Sequence, residues 1–144
     1  APGRIESKED DMTAEHLGIA RFKASKEHHD DVERGVRKFL DYEVAHPDTY
    51  HYSSTRYYTM DDPEDPAKEY WMFIDRFEDY DDYVTSLANA ISNPDNAEGQ
   101  RLMAESLTFS EGFFVNGKPV VEGGPTQIEH WVEVSSLRVD NQGH

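Results

Sequence analysis

Four side chains at alternate positions of one short stretch, Trp71, Phe73, Asp75 and Phe77, set a single carboxylate among three large aromatic rings. In an extended chain they share one face. Rings around a carboxyl group disfavour its charged form, which makes Asp75 a candidate general base active near neutral pH. The competing reading is a structural ion pair with Arg21, Arg56 or Arg76, although Arg76, next in the chain, points to the opposite face. His130, flanked by apolar residues in QIEHWVEV (127–134), is either a hydrogen-bonded core histidine or a second acid–base group. Arg56 or a tyrosine hydroxyl would stabilise the oxyanion that such a base creates. Asp75, His130 and Arg56 form the candidate catalytic set. Trp71, Phe73 and Phe77 are candidate contacts for a flat ligand, joined by Phe22, His51 and Tyr83.

Other clusters carry less chemistry. Glu27, His28, His29 and Asp31 look like metal ligands, but they sit where a helix starts, and acids are favoured there without any ion. His28 and His29 also point in different directions. No zinc, EF-hand, phosphate-loop or nucleophile-elbow spacing occurs in the chain. The sequence is therefore read as metal-free and without a tightly bound cofactor. With 14 Lys and Arg against 30 Asp and Glu, the net charge is −16. Such a field repels phosphate backbones and anionic lipid, so neither nucleic acid nor a membrane is an expected partner. The absence of cysteine removes thiol and disulfide chemistry.

The elements that must position these groups are legible as patterns. LGIARFKA (17–24) alternates as a strand, with Gly18, Ala20, Phe22 and Ala24 on one face. Ser25 offers an N-cap to a helix over about 26–45, whose stripe is Val32, Val36, Phe39, Leu40 and Val44. The Tyr- and Thr-rich segment 49–60 suits a second strand, 61–67 an exposed connection, and KEYWMFIDRF (68–77) a third strand apolar on both faces. Asp79 can cap a helix with the stripe Tyr80, Tyr83, Val84, Leu87 and Ile91, broken at Asn93-Pro94. A second helical piece is expected over 96–107, a loop or hairpin insert over 108–126, and a last strand over 127–134. Residues 1–11 and 139–144 read as loose ends of one domain spanning 1–144. The order, strand–helix–strand–strand–helix–strand, is the α+β ferredoxin-like βαββαβ pattern, an antiparallel four-stranded sheet with helices on one face.

A strand ending in Phe77, followed by Glu-Asp-x-Asp-Asp-Tyr (78–83) opening a helix, resembles the dimeric α+β barrel superfamily, especially its antibiotic-biosynthesis-monooxygenase-like branch. The resemblance covers about 17–93 and 127–134. It implies a homodimer with its sheets packed together and, in each chain, a pocket between sheet and helices into which Phe77 points. The superfamily includes cofactor-free oxygenases, heme-degrading oxygenases, cyclases, isomerases and dehydratases. At the positions where the heme-degrading branch carries an Asn and a His, this chain has Ala20 and Leu87; neither can ligate iron, so heme degradation is disfavoured.

The expectation is a cytoplasmic, homodimeric small-molecule enzyme of monooxygenase, cyclase or isomerase type, acting on an aromatic or polycyclic substrate. The alternative is a non-catalytic module of the same fold that binds a small ligand or another protein. The apolar runs fall far short of the ~20 residues that a membrane-spanning helix needs.

Overall fold

The computed structural model describes residues 14–115, 118–119 and 128–139. The expected arm at 1–11, residues 140–144 of the tail, and residues 116–117 and 120–126 of the expected insert lie outside the described residues. Strand β1 (His16–Ser25) runs through a 3-10 turn into helix α1 (His29–Ala45). Strands β2 (Ser54–Asp61) and β3 (Lys68–Phe77) follow, then α2 (Tyr80–Ile91) and α3 (Ala97–Ser106). The chain continues through a short pair, β4 (Phe113–Val115) and β5 (Lys118–Pro119), to β6 (Glu129–Val132).

All strand pairs are antiparallel. β3 lies between β2 and β1, and the far edge of β1 is shared: β6 pairs with His16–Ile19, and β4 pairs with Arg21 and Phe22. The run β2-β3-β1-β6 is an open antiparallel sheet whose order is compatible with a ferredoxin-like fold, and the β4–β5 pair occupies part of the expected insert. The fold is α+β.

The register assigns each face. Gly18, Ala20 and Phe22 of β1 stand opposite Asp75, Phe73 and Trp71 of β3, and Thr55 and Tyr57 of β2 stand opposite Asp75 and Phe73. Directly opposed residues project to the same side, so this side carries the helices. Val32 and Val36 of α1 pack on Phe22, Ala24 and Trp71. Phe39 meets Tyr50 and Leu102 in an adjoining cluster. α1 and α3 approach closely at Gly35, where a Cβ would stand 3.2 Å from the Ser106 Cα. α2 is capped as its sequence suggests, with the Asp82 N–H donating to Asp79 Oδ1 at 2.8 Å.

Three boundaries and two stripes differ from expectation; on α2, Val84 and Ile91 of the expected stripe are 42% and 44% exposed, and Ser86 is buried beside Tyr83. The segment 49–53 is not strand, because after Pro47 the Thr49 and Tyr50 N–H groups donate back to the His46 carbonyl. That turn drives the Tyr50 ring edge-on against Phe39, 6.0 Å between centroids. The last strand is shorter than 127–134, and the first helix opens with a 3-10 turn. On α1 the inward position is Glu43, 5% exposed, while Val44 is 77% exposed. The repeat Val32, Val36, Phe39, Glu43 is a regular helical stripe that happens to end in an acid. Among the described residues, no helix is long and apolar enough to cross a membrane.

Candidate functional site

Between the sheet and the helices lies a cavity of about 120 Å³. Its room comes from the small residues of β1. Gly18 and Ala20 face it where larger side chains would fill it, and a Cβ at Gly18 would stand 3.3 Å from Ile128. Phe73, Asp75 and Phe77 of β3 and Tyr57 of β2 complete the floor. The roof is Phe39 and Glu43 of α1, Tyr83, Ser86 and Leu87 of α2, and Met103 and Ser106 of α3; Tyr50 and Tyr52 close one side. No Lys, Arg or His is among these lining residues.

Asp75 accepts a hydrogen bond from Thr55 Oγ1 at 2.8 Å. Burial raises its pKa from 3.8 to about 6, and the Thr55 bond works against that rise by favouring the carboxylate. Among the described residues no cation pairs with it. Arg21 is paired with Glu129 at 2.9 Å, Arg76 with Glu15 at 2.7 Å, and Arg56 stands opposite Ile74 on the other face of the sheet. Asp75 is thus a carboxyl group kept in an aromatic cavity with one neutral donor.

A second carboxyl group shares that cavity. Glu43 Oε1 is buried with no hydrogen-bond partner among the described residues. Desolvation, and secondarily the negative charge of Asp75, push its pKa from 4.5 up to about 9. It is therefore a neutral acid at pH 7. Tyr52 and Tyr57 are held protonated by burial. Tyr50 is also raised by burial, and its hydroxyl accepts from Asn96 Nδ2 at 3.0 Å. The site can accept a proton at Asp75 and offer hydrogen bonds from an acid and from phenols, which is the equipment for proton abstraction with oxyanion support.

The structure brings Asp75, Phe73, Phe77, Phe22 and Tyr83 of the expected residues to this cavity. It places the others elsewhere. Trp71 is 4% exposed in the neighbouring core, stacked on Phe22 at 6.0 Å, with its indole N–H donating to Glu69 Oε2 at 2.9 Å. His130 lies behind the cavity wall, stacked on Tyr83 at 3.9 Å and 12°, with Nε2 at 2.9 Å from His16 Nδ1. His51 belongs to the turn before β2: its backbone N–H donates to Ser86 Oγ at 2.6 Å, and its Nε2 lies 2.7 Å from the Asp48 carbonyl that accepts from it. Arg56 is exposed on the far face. Reading the sequence missed Glu43 and the inward turn of Tyr50 and Tyr52. For Glu43 the signal is present, since it follows Val32, Val36 and Phe39 by eleven, seven and four residues.

Among the described residues, His29, Asp30 and Glu33 offer three ligand atoms within 4.8 Å of one another. They lie at the exposed start of α1, and His29 Nδ1 is engaged with Glu69 at 2.7 Å. Comparison of the sequence with protein-family models and with curated proteins finds no match.

Proposed function

We propose that this protein is a small-molecule enzyme that takes a neutral aromatic compound into the cavity and uses Asp75 as its general base. The observation that carries the reading is the Asp75 carboxyl group, lining an aromatic cavity beside Thr55 and, among the described residues, without a cation. A pKa near 6 leaves it ionised and still basic at neutral pH. The volume suits a single ring better than a polycyclic skeleton, because an apolar cavity of roughly 150 Å³ holds a benzene. The chemistry is of the monooxygenase, cyclase or isomerase type, with no tightly bound cofactor. The sheet order and the Phe77–Tyr83 pair, whose rings meet edge-on at 5.5 Å, support kinship with the dimeric α+β barrel proteins.

The test is turnover of a panel of hydroxylated single-ring compounds, with and without oxygen, by the wild type and Asp75→Asn. The variant keeps the shape and loses the base, so its rate falls by about 100-fold or more. Undiminished turnover removes Asp75 from the mechanism. Binding without turnover in the wild type favours the non-catalytic ligand-binding module instead.

The working unit in this reading is a homodimer. The helix-free face of the sheet carries Leu17, Ile19, Met72 and Ile74 between charged rows, and at its margins Tyr58, Met60 and Trp131 remain exposed. Sheet faces of this composition are normally covered, and a second copy related by a two-fold axis would cover it with the same rows. A mass of 16.6 kDa by light scattering at micromolar concentration would reject the dimer.

A further inference from the structure

The Asp75 reading leaves unused the most costly group in the cavity. Glu43 is carried inward on α1, nineteen-twentieths buried, and its Oε1 finds no partner among the described residues. A buried polar atom without a partner costs free energy, and native structures retain few of them. Leu or Met at this position would continue the Val32–Val36–Phe39 stripe at no such cost. Glu43 and Asp75 both line the cavity, one from α1 and the other from β3.

We propose that Glu43 is the acid partner of Asp75: its carboxyl O–H donates to the carbonyl oxygen of a neutral single-ring ketone while Asp75 takes a proton from the adjacent carbon. The proposal rests on the reading of Asp75 as a base and names a second substrate class for it beside the aromatic one, a cyclic ketone of similar size. Among the described residues no Lys, Arg or His lines the cavity, so a carboxylate or phosphate ligand would meet two acids there and no cation. A neutral ligand with an acceptor oxygen instead satisfies the vacant donor.

The reaction balances without an oxidant. The Asp75 carboxylate removes the proton, the C–H electron pair forms a carbon–carbon double bond, and the carbonyl π pair moves to the oxygen held by Glu43. Protonated Asp75 then returns the proton to the same carbon or, across a conjugated system, to the carbon two bonds further on. The outcome is hydrogen exchange or a double-bond shift. An uncharged acid donor strengthens its hydrogen bond as the oxygen gains charge, which is the condition for lowering the barrier. A carboxylic acid kept neutral by an apolar site is a known device for this task. Among the described residues, the ionisable groups that line the cavity with Glu43 are Asp75 from β3, Tyr57 from β2, Tyr50 and Tyr52 from the preceding turn, and Tyr83 from α2; α3 contributes none. Asp75 is the only one that is anionic at neutral pH, and its charge favours the protonated form of Glu43.

The test uses β,γ-unsaturated cyclohexenone, followed spectroscopically as it converts to its conjugated isomer. Wild type should catalyse the shift, Asp75→Asn should lose at least 100-fold, and Glu43→Met should lose about 100-fold. Glu43→Gln, which keeps an N–H donor but no acid, should fall between. Glu43 variants as fast as wild type, with Asp75→Asn inactive, would overturn the role of Glu43 and leave Asp75 standing. No conversion by the wild type would overturn the ketone assignment, while Asp75 is judged separately on the hydroxylated aromatics. If the Glu43 variants fail to fold, carboxyl-labelled NMR of the wild type decides: a Glu43 signal that is protonated at neutral pH supports the donor, and an ionised one overturns it.

Discussion

Replacing Glu43 with Gln should change how stability depends on pH more than it changes stability itself. The native carboxyl group has a pKa of about 9 against an ordinary value of 4.5. Between those values the unfolded chain is ionised and the native protein is not, so the native state binds more protons and stability falls as pH rises. Below 4.5 both states are protonated and the penalty vanishes. Each pH unit inside the window costs about 1.4 kcal/mol, so wild type should lose about 5 kcal/mol from this group between pH 5 and pH 9. Gln does not titrate, while other groups titrate alike in both proteins and cancel. At acidic pH the variant should be the less stable, because a buried amide brings two N–H donors that cost about 1–3 kcal/mol if unpaired. The difference in unfolding free energy should then swing towards the variant by about 5 kcal/mol by pH 9. Urea unfolding at pH 5, 7 and 9, followed by far-UV circular dichroism, measures it. Parallel curves, diverging by less than about 1 kcal/mol, would mean that Glu43 is solvated or ionised in the native protein.

Thr55→Val removes the donor that stabilises the Asp75 carboxylate, so the acidic limb of the pH–rate profile, where activity appears as Asp75 ionises, should move upward from about 6 by roughly one pH unit; an unchanged profile would show that the Thr55 bond does not tune the base. Gly99→Ala should destabilise by about 1–3 kcal/mol in thermal unfolding, although Ala is ordinarily the better helix former, because the new Cβ would collide with the Tyr50 hydroxyl and stand 2.6 Å from Asn96 Oδ1. Trp71→Ala should cost about 3–5 kcal/mol of stability. Ligand affinity at Asp75 should change little, because Trp71 belongs to the core beside Phe22 and Val36; a loss confined to affinity would return Trp71 to the ligand's wall.

What could be read from the chain was local. The alternation of β1 and β3, the Asp79 cap and the opposite orientation of Asp75 and Arg76 depend on neighbours a few residues apart, and each appears in the structure. The side taken by Arg56 was not legible, because β2 carries Tyr, Thr and Arg in a pattern with no clear apolar face. Its orientation is decided by pairing with β3, which sets Thr55 opposite Asp75 and Arg56 opposite Ile74. Glu43 and Val44 are about 100° apart on the helix, and hydrophobicity alone favours Val44. Only the crossing of α1 over the sheet decides between them, and it chooses the acid.

Sharing a face is also weaker than sharing a cavity. Trp71 and Asp75 project to the same side of β3, yet four strand residues span about 13 Å. Along that length the facing residues of β1 change from Gly18 through Ala20 to Phe22. Opposite Asp75 there is no side chain, opposite Phe73 a methyl group, and opposite Trp71 a phenyl ring. The space between sheet and helices therefore narrows along the strand pair, open where the base stands and filled where the indole lies. The steep gradient in size along Gly18, Ala20 and Phe22, rather than the aromatic content of β3, is what sets the position of the cavity and makes Asp75 its polar floor.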